Sequence, residues 1–166
     1  MVNHLRILFI IGILFLNNPC NYAHNITFKH LTIKEELSHY SVMALYQDER
    51  GIIWMGTRNG VSAYDGNEMT IFRHDENNPH SIQSNLIKDI VGDKNGHIYF
   101  LTIRGISRYD IQKEHFTDLA SGNINAIYYH DNNLYIGNGN EIGTWENNQI
   151  KPIYKLPSAN DIISCL

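Results

Sequence analysis

The chain has 166 residues, 43% hydrophobic and 18% charged, the length of one domain and the make-up of a folded rather than a disordered polypeptide. A formal net charge of −4 leaves no basic surplus for a phosphate backbone, so no nucleic-acid partner is expected. The two cysteines, Cys20 and Cys165, exclude a disulfide framework, because the first falls in a segment expected to be cut away. Cys165 then reads as a small buried hydrophobe.

Met1 to Arg6 is a short polar start, and Ile7 to Leu16 is an unbroken apolar run of ten. A membrane span needs about twenty such residues, so the run fits the core of a secretory signal. Pro19 interrupts the helix and Ala23 offers a small residue before a cut. Residues 1–23 are therefore expected to be a signal peptide, with the mature chain starting near His24. Two other readings stand beside this one, a retained anchor and a lipoprotein signal acylated at Cys20. Asn18 and Pro19 fit the latter poorly.

The remainder is governed by a repeat. Asp48/Asp93, Gly51/Gly96, Trp54/Tyr99, Thr57/Thr102, Gly60/Gly105 and Tyr64/Tyr109 are each 45 residues apart, as are Val42/Ile87 and Leu45/Ile90. A weaker third unit places Ile124, Ile127, Tyr135, Gly137, Ile142, Trp145 and Glu146 where Val42, Leu45, Trp54, Gly56, Val61, Tyr64 and Asp65 stand in the first. Its first turn, Asp131-Asn132-Asn133, is one residue shorter and lacks the Asp-x-x-Gly pattern. A further unit begins at Asn160 to Cys165.

Within a unit, Val42–Tyr46, Ile53–Thr57, Val61–Tyr64 and Met69–Arg73 read as strands. Asp48-x-x-Gly51 and Arg58-Asn59-Gly60 read as turns, and Asp65-Gly66 as a two-residue hairpin. Four antiparallel strands in 40–50 residues is the size of one propeller blade. No sustained helical period follows the apolar run. The expectation is an all-β fold, an incomplete β-propeller over 24–166, with blades at 41–80, 81–120 and 121–158 and the start of the next at 159–166. One large ring per blade, Trp54, Tyr99 and Tyr135, would fill the gap to the neighbouring blade. Burying 150–250 Å² of ring contributes about 4–6 kcal/mol gross. Gly56 and Gly137 would permit close approach near the axis, and Leu101 departs from this pattern. Produced alone, such a segment would leave apolar blade faces uncovered and is expected to be aggregated, oligomeric or poorly cooperative.

These residues resemble the two-component regulator propeller repeats, which run as an apolar strand, Asp-x-x-Gly, Trp-Ile-Gly-Thr, x-x-Gly-Leu and x-x-Tyr-Asp. The likeness covers residues 26–166 and is closest in the first unit; Phe28 to Leu31 followed by Leu37-Ser38 looks like the lead-in to such a repeat. The resemblance implies a periplasmic sensor region, sensing carbohydrate fragments, in a regulator held in the inner membrane. Its implied partners are an oligosaccharide ligand, downstream blades and a histidine kinase, with a dimeric full-length protein. No kinase motif is present in this chain. Two alternatives remain, a fragment of a secreted propeller enzyme such as a glycosidase or lyase, and a protein-interaction propeller.

No catalytic constellation and no cofactor are expected. Asp48-x-x-Gly51-x-x-Trp54 is superficially like a sialidase Asp-box, but repeat logic puts Arg58 and Arg104 in equivalent turns rather than in a catalytic cluster. Nine histidines are scattered without a His-x-x-x-His pair, so no metal site is expected. Asn25-Ile26-Thr27 is a glycosylation sequon by pattern only. If a sugar is bound, strand alternation places the turns at 58–59 and 103–104 and the connection 74–80 at one end. Arg58, Asn59, His74, His80 and Arg104 are then the candidate ligand contacts, against the blander reading that they are ordinary solvated loops.

Overall fold

Strands and tight turns alternate through the computed structural model, which describes residues 37–158 and 161–164. The segment expected to be a signal peptide, with Cys20, the expected lead-in at Phe28 to Leu31, Asn160 and Cys165 lie outside the described residues. The first sheet holds β1 (Val42–Gln47), β2 (Ile53–Thr57), β3 (Gly60–Tyr64) and β4 (Met69–Phe72). The second holds β5 (Ile87–Gly92), β6 (His97–Thr102), β7 (Gly105–Asp110) and β8 (His115–Ser121). The third holds β9 (Ala126–His130), β10 (Asn133–Asn138), β11 (Glu141–Glu146) and β12 (Gln149–Lys155). Each is a four-stranded antiparallel meander in chain order, and no helix occurs among the described residues. The chain is a partial β-propeller, as expected.

Strand register gives the repeat its physical meaning. Trp54 lies between Tyr46 and Ala63, Tyr99 between Val91 and Arg108, and Tyr135 between Tyr128 and Thr144. One position in each blade therefore carries the large ring. The Trp54 ring sits 5.7 Å from Phe72 of its own blade, and 5.7 and 5.2 Å from Phe100 and Tyr109 of the next. Tyr99 stacks on Tyr129 of the third blade at 5.9 Å. Where Gly56 faces the second blade, an added Cβ would meet Ile87 Cγ2 at 2.6 Å, so the blades close only over a bare α-carbon. Gly137 faces Ile163 in the same way, at 2.9 Å. Ile163 thus occupies, two interfaces on, the place that Ile87 holds against Gly56. Leu101, 1% exposed, fills the corresponding gap with side chain, packed into the cluster that holds Ile124 and Ile127.

Equivalent positions differ in burial according to whether a blade packs behind them. Ile90 and Ile127 are 4% and 2% exposed, whereas Leu45, at the same position of the first blade, is 66% exposed. Leu45 faces away from the second blade, on a side that no described sheet covers.

The Asp-x-x-Gly turns do more than reverse the chain. Asp48 Oδ1 accepts the N–H groups of Arg50 and Ile52, while its Oδ2 accepts the Trp54 indole N–H at 3.0 Å and the Arg50 guanidinium at 2.7 Å. Asp93 repeats the arrangement with Asn95, His97 and, at 3.5 Å, the Tyr99 hydroxyl. The turn carboxylate therefore orients the ring that fills the interblade gap. Gly51 and Gly96 close these turns at φ of +84° and +99°.

Burial alone would raise the Asp48 carboxyl, but the hydrogen bonds from Trp54, Arg50 and Ile52 outweigh it and hold it below the usual carboxylate range. A depressed carboxylate contributes stability above its unfolded value, about 4, and loses it as the pH falls through the folded value. Asp48→Asn is expected to cost about 1–3 kcal/mol at pH 7. The gap between variant and wild type should shrink on acidification. A gap that stays constant from neutral to strongly acid pH in denaturation series would contradict this.

Two local expectations change. Asp65-Gly66 is not a two-residue hairpin: Tyr64 pairs with Met69, leaving the loop 65–68. Its cause is the Asp65 carboxylate, which accepts the N–H groups of both Asn67 and Glu68 and so draws two more residues into the turn. In the third blade His130 pairs with Asn133, so Asn133 belongs to β10. The two-residue turn Asp131-Asn132 has positive φ at both positions.

Candidate functional site

Loops from two blades meet at one end of the molecule. The β2–β3 and β6–β7 turns are built alike: the Thr57 hydroxyl donates to the Gly60 carbonyl and accepts the Asn59 N–H, and Thr102 does the same with Gly105 and Arg104. The β4–β5 connection, residues 73–86, passes between them. Arg73 donates to the Asn59 carbonyl at 3.3 Å, and Gly60 N–H donates to the Asn85 carbonyl at 2.7 Å. On the other side, Ile103 N–H donates to the Leu86 carbonyl at 3.3 Å.

Between this connection and the second blade lies a cavity of about 560 Å³. Its polar lining includes His74, Glu76, Gln83, Arg104, Asp118 and Ser121. Arg104 Nη1 donates to the Gln83 carbonyl at 3.3 Å and to His74 Nε2 at 3.4 Å, while His74 Nδ1–H donates to the Ile82 carbonyl at 2.8 Å. The guanidinium is thus steered over the cavity, and its Nε and Nη2 make no hydrogen bond among the described residues. Asp75, Glu76 and Asp118 bring three carboxylates to the wall, and none of them is in an ion pair with Arg104 among the described residues.

Of the five candidate contacts, the structure brings His74 and Arg104 together here. Arg58 and Asn59 stand in the first blade's turn and do not line the cavity. His80 has left it: its ring lies 4.6 Å from that of His115, and its carbonyl accepts the Phe116 N–H at the start of β8.

Gln83 and Asp118 were not singled out from the sequence, although the repeat carries a signal for both. The 45-residue offset sets Gln83 against Ser38. Register sets Asp118, opposite Ser107, against Ile71, opposite Ser62. Among the described residues, no group of three or more His, Cys, Asp or Glu is placed to hold a metal ion.

Comparison with known proteins agrees with this architecture. Residues 36–59 match the family model described as the two component regulator propeller. Over 55 residues the chain is 42% identical to histidine kinase P4 of Formosa agariphila, a stretch that is 33% of this chain and 4% of that protein. The extracellular domain of the hybrid two component system BT3049 from B. thetaiotaomicron superposes with a TM-score of 0.66 at 20% identity, covering 79% of this chain and 21% of that one. That of BT4673 from the same organism gives 0.60 at 20% identity, covering 70% and 17%. The chain therefore spans only a small part of each of these relatives. With the turn, the ring and the blade register all in place around them, residues 36–59 are similar to the two-component regulator propeller repeat and sit within a run of propeller blades.

Proposed function

We propose that these blades are part of the periplasmic ligand-sensing propeller of a two-component regulator, and that the ligand is a carbohydrate fragment. The observation that carries this reading is the repeat at residues 36–59, whose turn-and-ring arrangement recurs one blade later. The chain contributes no catalysis of its own in this reading; the kinase belongs to another part of the full-length protein, which is dimeric. A ligand in the cavity would touch the 73–86 connection and the second blade together, and so would tie the first two blades to one another. Such a ligand shifts the protein between states only by as much as it binds one better than the other.

Export is tested directly. Expressed with its natural start in a Gram-negative host, the protein should be recovered from the periplasm with its mature N-terminus at His24 or within about two residues of it, where the apolar run and Ala23 predict the cut. An uncut product in the cytoplasm would overturn the export and the sensor reading with it.

A further inference from the structure

Three places where the second blade departs from the first converge on the same cavity. In the first blade Ser38 is a structural residue: its N–H donates to Ser62 Oγ, and its hydroxyl joins those of Thr57 and Ser62 within 2.9 Å. Gln83 keeps the backbone half of this arrangement, donating its N–H to Ser107 Oγ at 3.1 Å. Its longer side chain goes elsewhere. Nε2 reaches the Ala120 carbonyl at 3.5 Å, beside Ser121 and Gly122 of the cavity rim. Gln83 is only 6% exposed, yet its Oε1 accepts no hydrogen bond among the described residues. That oxygen is not among the fully buried atoms; it is accessible at the cavity that Gln83 lines, where a ligand hydroxyl can donate to it.

The other two departures supply complementary groups. Asp118 stands where the repeat has Ile71, and Ser107, freed from the hydroxyl cluster, donates to its Oδ1 at 3.0 Å. Its second oxygen is left to accept. Arg104 stands where the repeat has Asn59, and it is a donor held by His74 and Gln83. Blade packing asks for none of these three side chains. Together they present an amide, a carboxylate and a guanidinium, the donor and acceptor set that hydroxyl groups match.

Charge narrows the ligand further. The wall carries the carboxylates of Asp75, Glu76 and Asp118 against the single guanidinium of Arg104. A carboxylate or sulfate entering the cavity would meet net repulsion in a partly enclosed space. We infer that this cavity takes a polyhydroxy ligand free of acidic groups, gripped by Gln83, Arg104 and Asp118. The inference rests on the carbohydrate reading above and adds to it the site and the charge selection.

The test uses the exported region with all its blades, on an array of immobilised neutral, amino, uronate-bearing and sulfated glycans. Retention is expected on glycans without acidic groups only. Gln83→Ala and Asp118→Asn should each weaken it about tenfold or more, the worth of one buried hydrogen bond to ligand. Arg58→Ala, outside the cavity, should bind as wild type. Glu76→Gln combined with Asp118→Asn should admit uronate-bearing glycans. Equal unfolding midpoints for all variants show that the fold is intact, and Gln83→Glu, of the same shape, provides a second test should Gln83→Ala fail to fold. Preference for uronate or sulfate would overturn the charge selection. Neutral binding indifferent to Gln83 and Asp118 would overturn the site. Binding to no class of glycan would sink instead the carbohydrate reading itself.

Discussion

Trp54→Ala is expected to destabilise the propeller by about 3–5 kcal/mol, the usual cost of emptying a buried aromatic site. The ring is 2% exposed and touches Phe72, Phe100 and Tyr109, so its loss opens a void between two blades rather than at a surface that could collapse. Asp48 also loses the indole N–H that it accepts at 3.0 Å. Trp54→Phe separates the two contributions: it keeps most of the apolar ring and removes only the donor, and it should fall between alanine and wild type. Arg58→Ala, in an exposed turn, should stay within about 0.5 kcal/mol of wild type. Chemical denaturation of the propeller with all its blades gives the comparison. Equal losses for Trp54→Ala and Arg58→Ala would contradict the blade register.

A comparable loss, about 3–5 kcal/mol, should follow Gly105→Ala, where backbone strain and overpacking add. Gly105 has φ of +140°, and a Cβ there would lie 2.0 Å from the Ala120 carbonyl oxygen and 2.8 Å from Ser121 Cα. Both are backbone atoms of β8, so no side chain can swing aside. Gly96→Ala is the matched control. It too has positive φ, +99°, but a Cβ there meets nothing within 4 Å. It should therefore lose only the conformational part, about 1–2 kcal/mol. Because Gly122 N–H donates to the Arg104 carbonyl at 2.9 Å, the Gly105→Ala shift should also disturb the cavity rim. If Gly96→Ala proved as costly as Gly105→Ala in the same denaturation series, the close approach of β7 to β8 would be wrong.

The sequence by itself determined the strands, their order and the ring positions, because these depend on signals within one repeat. Alternating apolar residues, an Asp that bonds its own turn and a Gly that accepts positive φ act over a few residues. Copying them 45 residues later makes each position check the other. Where the local chemistry of a turn was misjudged, as at Asp65-Gly66, the error stayed inside the loop and left Met69 at the head of its strand. Tertiary structure alone decided which loop residues share a site. Gln83 and Arg104 meet because the 73–86 connection is pinned to both neighbouring turns, while the same connection carries His80 away to His115. Nothing in the polarity of His74 and His80 distinguishes them. Burial followed the same rule: Leu45 and Ile90 are equivalent by sequence, and only the blade packed behind Ile90 separates 66% from 4% exposure. Repeats specify what each unit is made of, but exposure and site composition depend on contacts between units, which no single unit encodes.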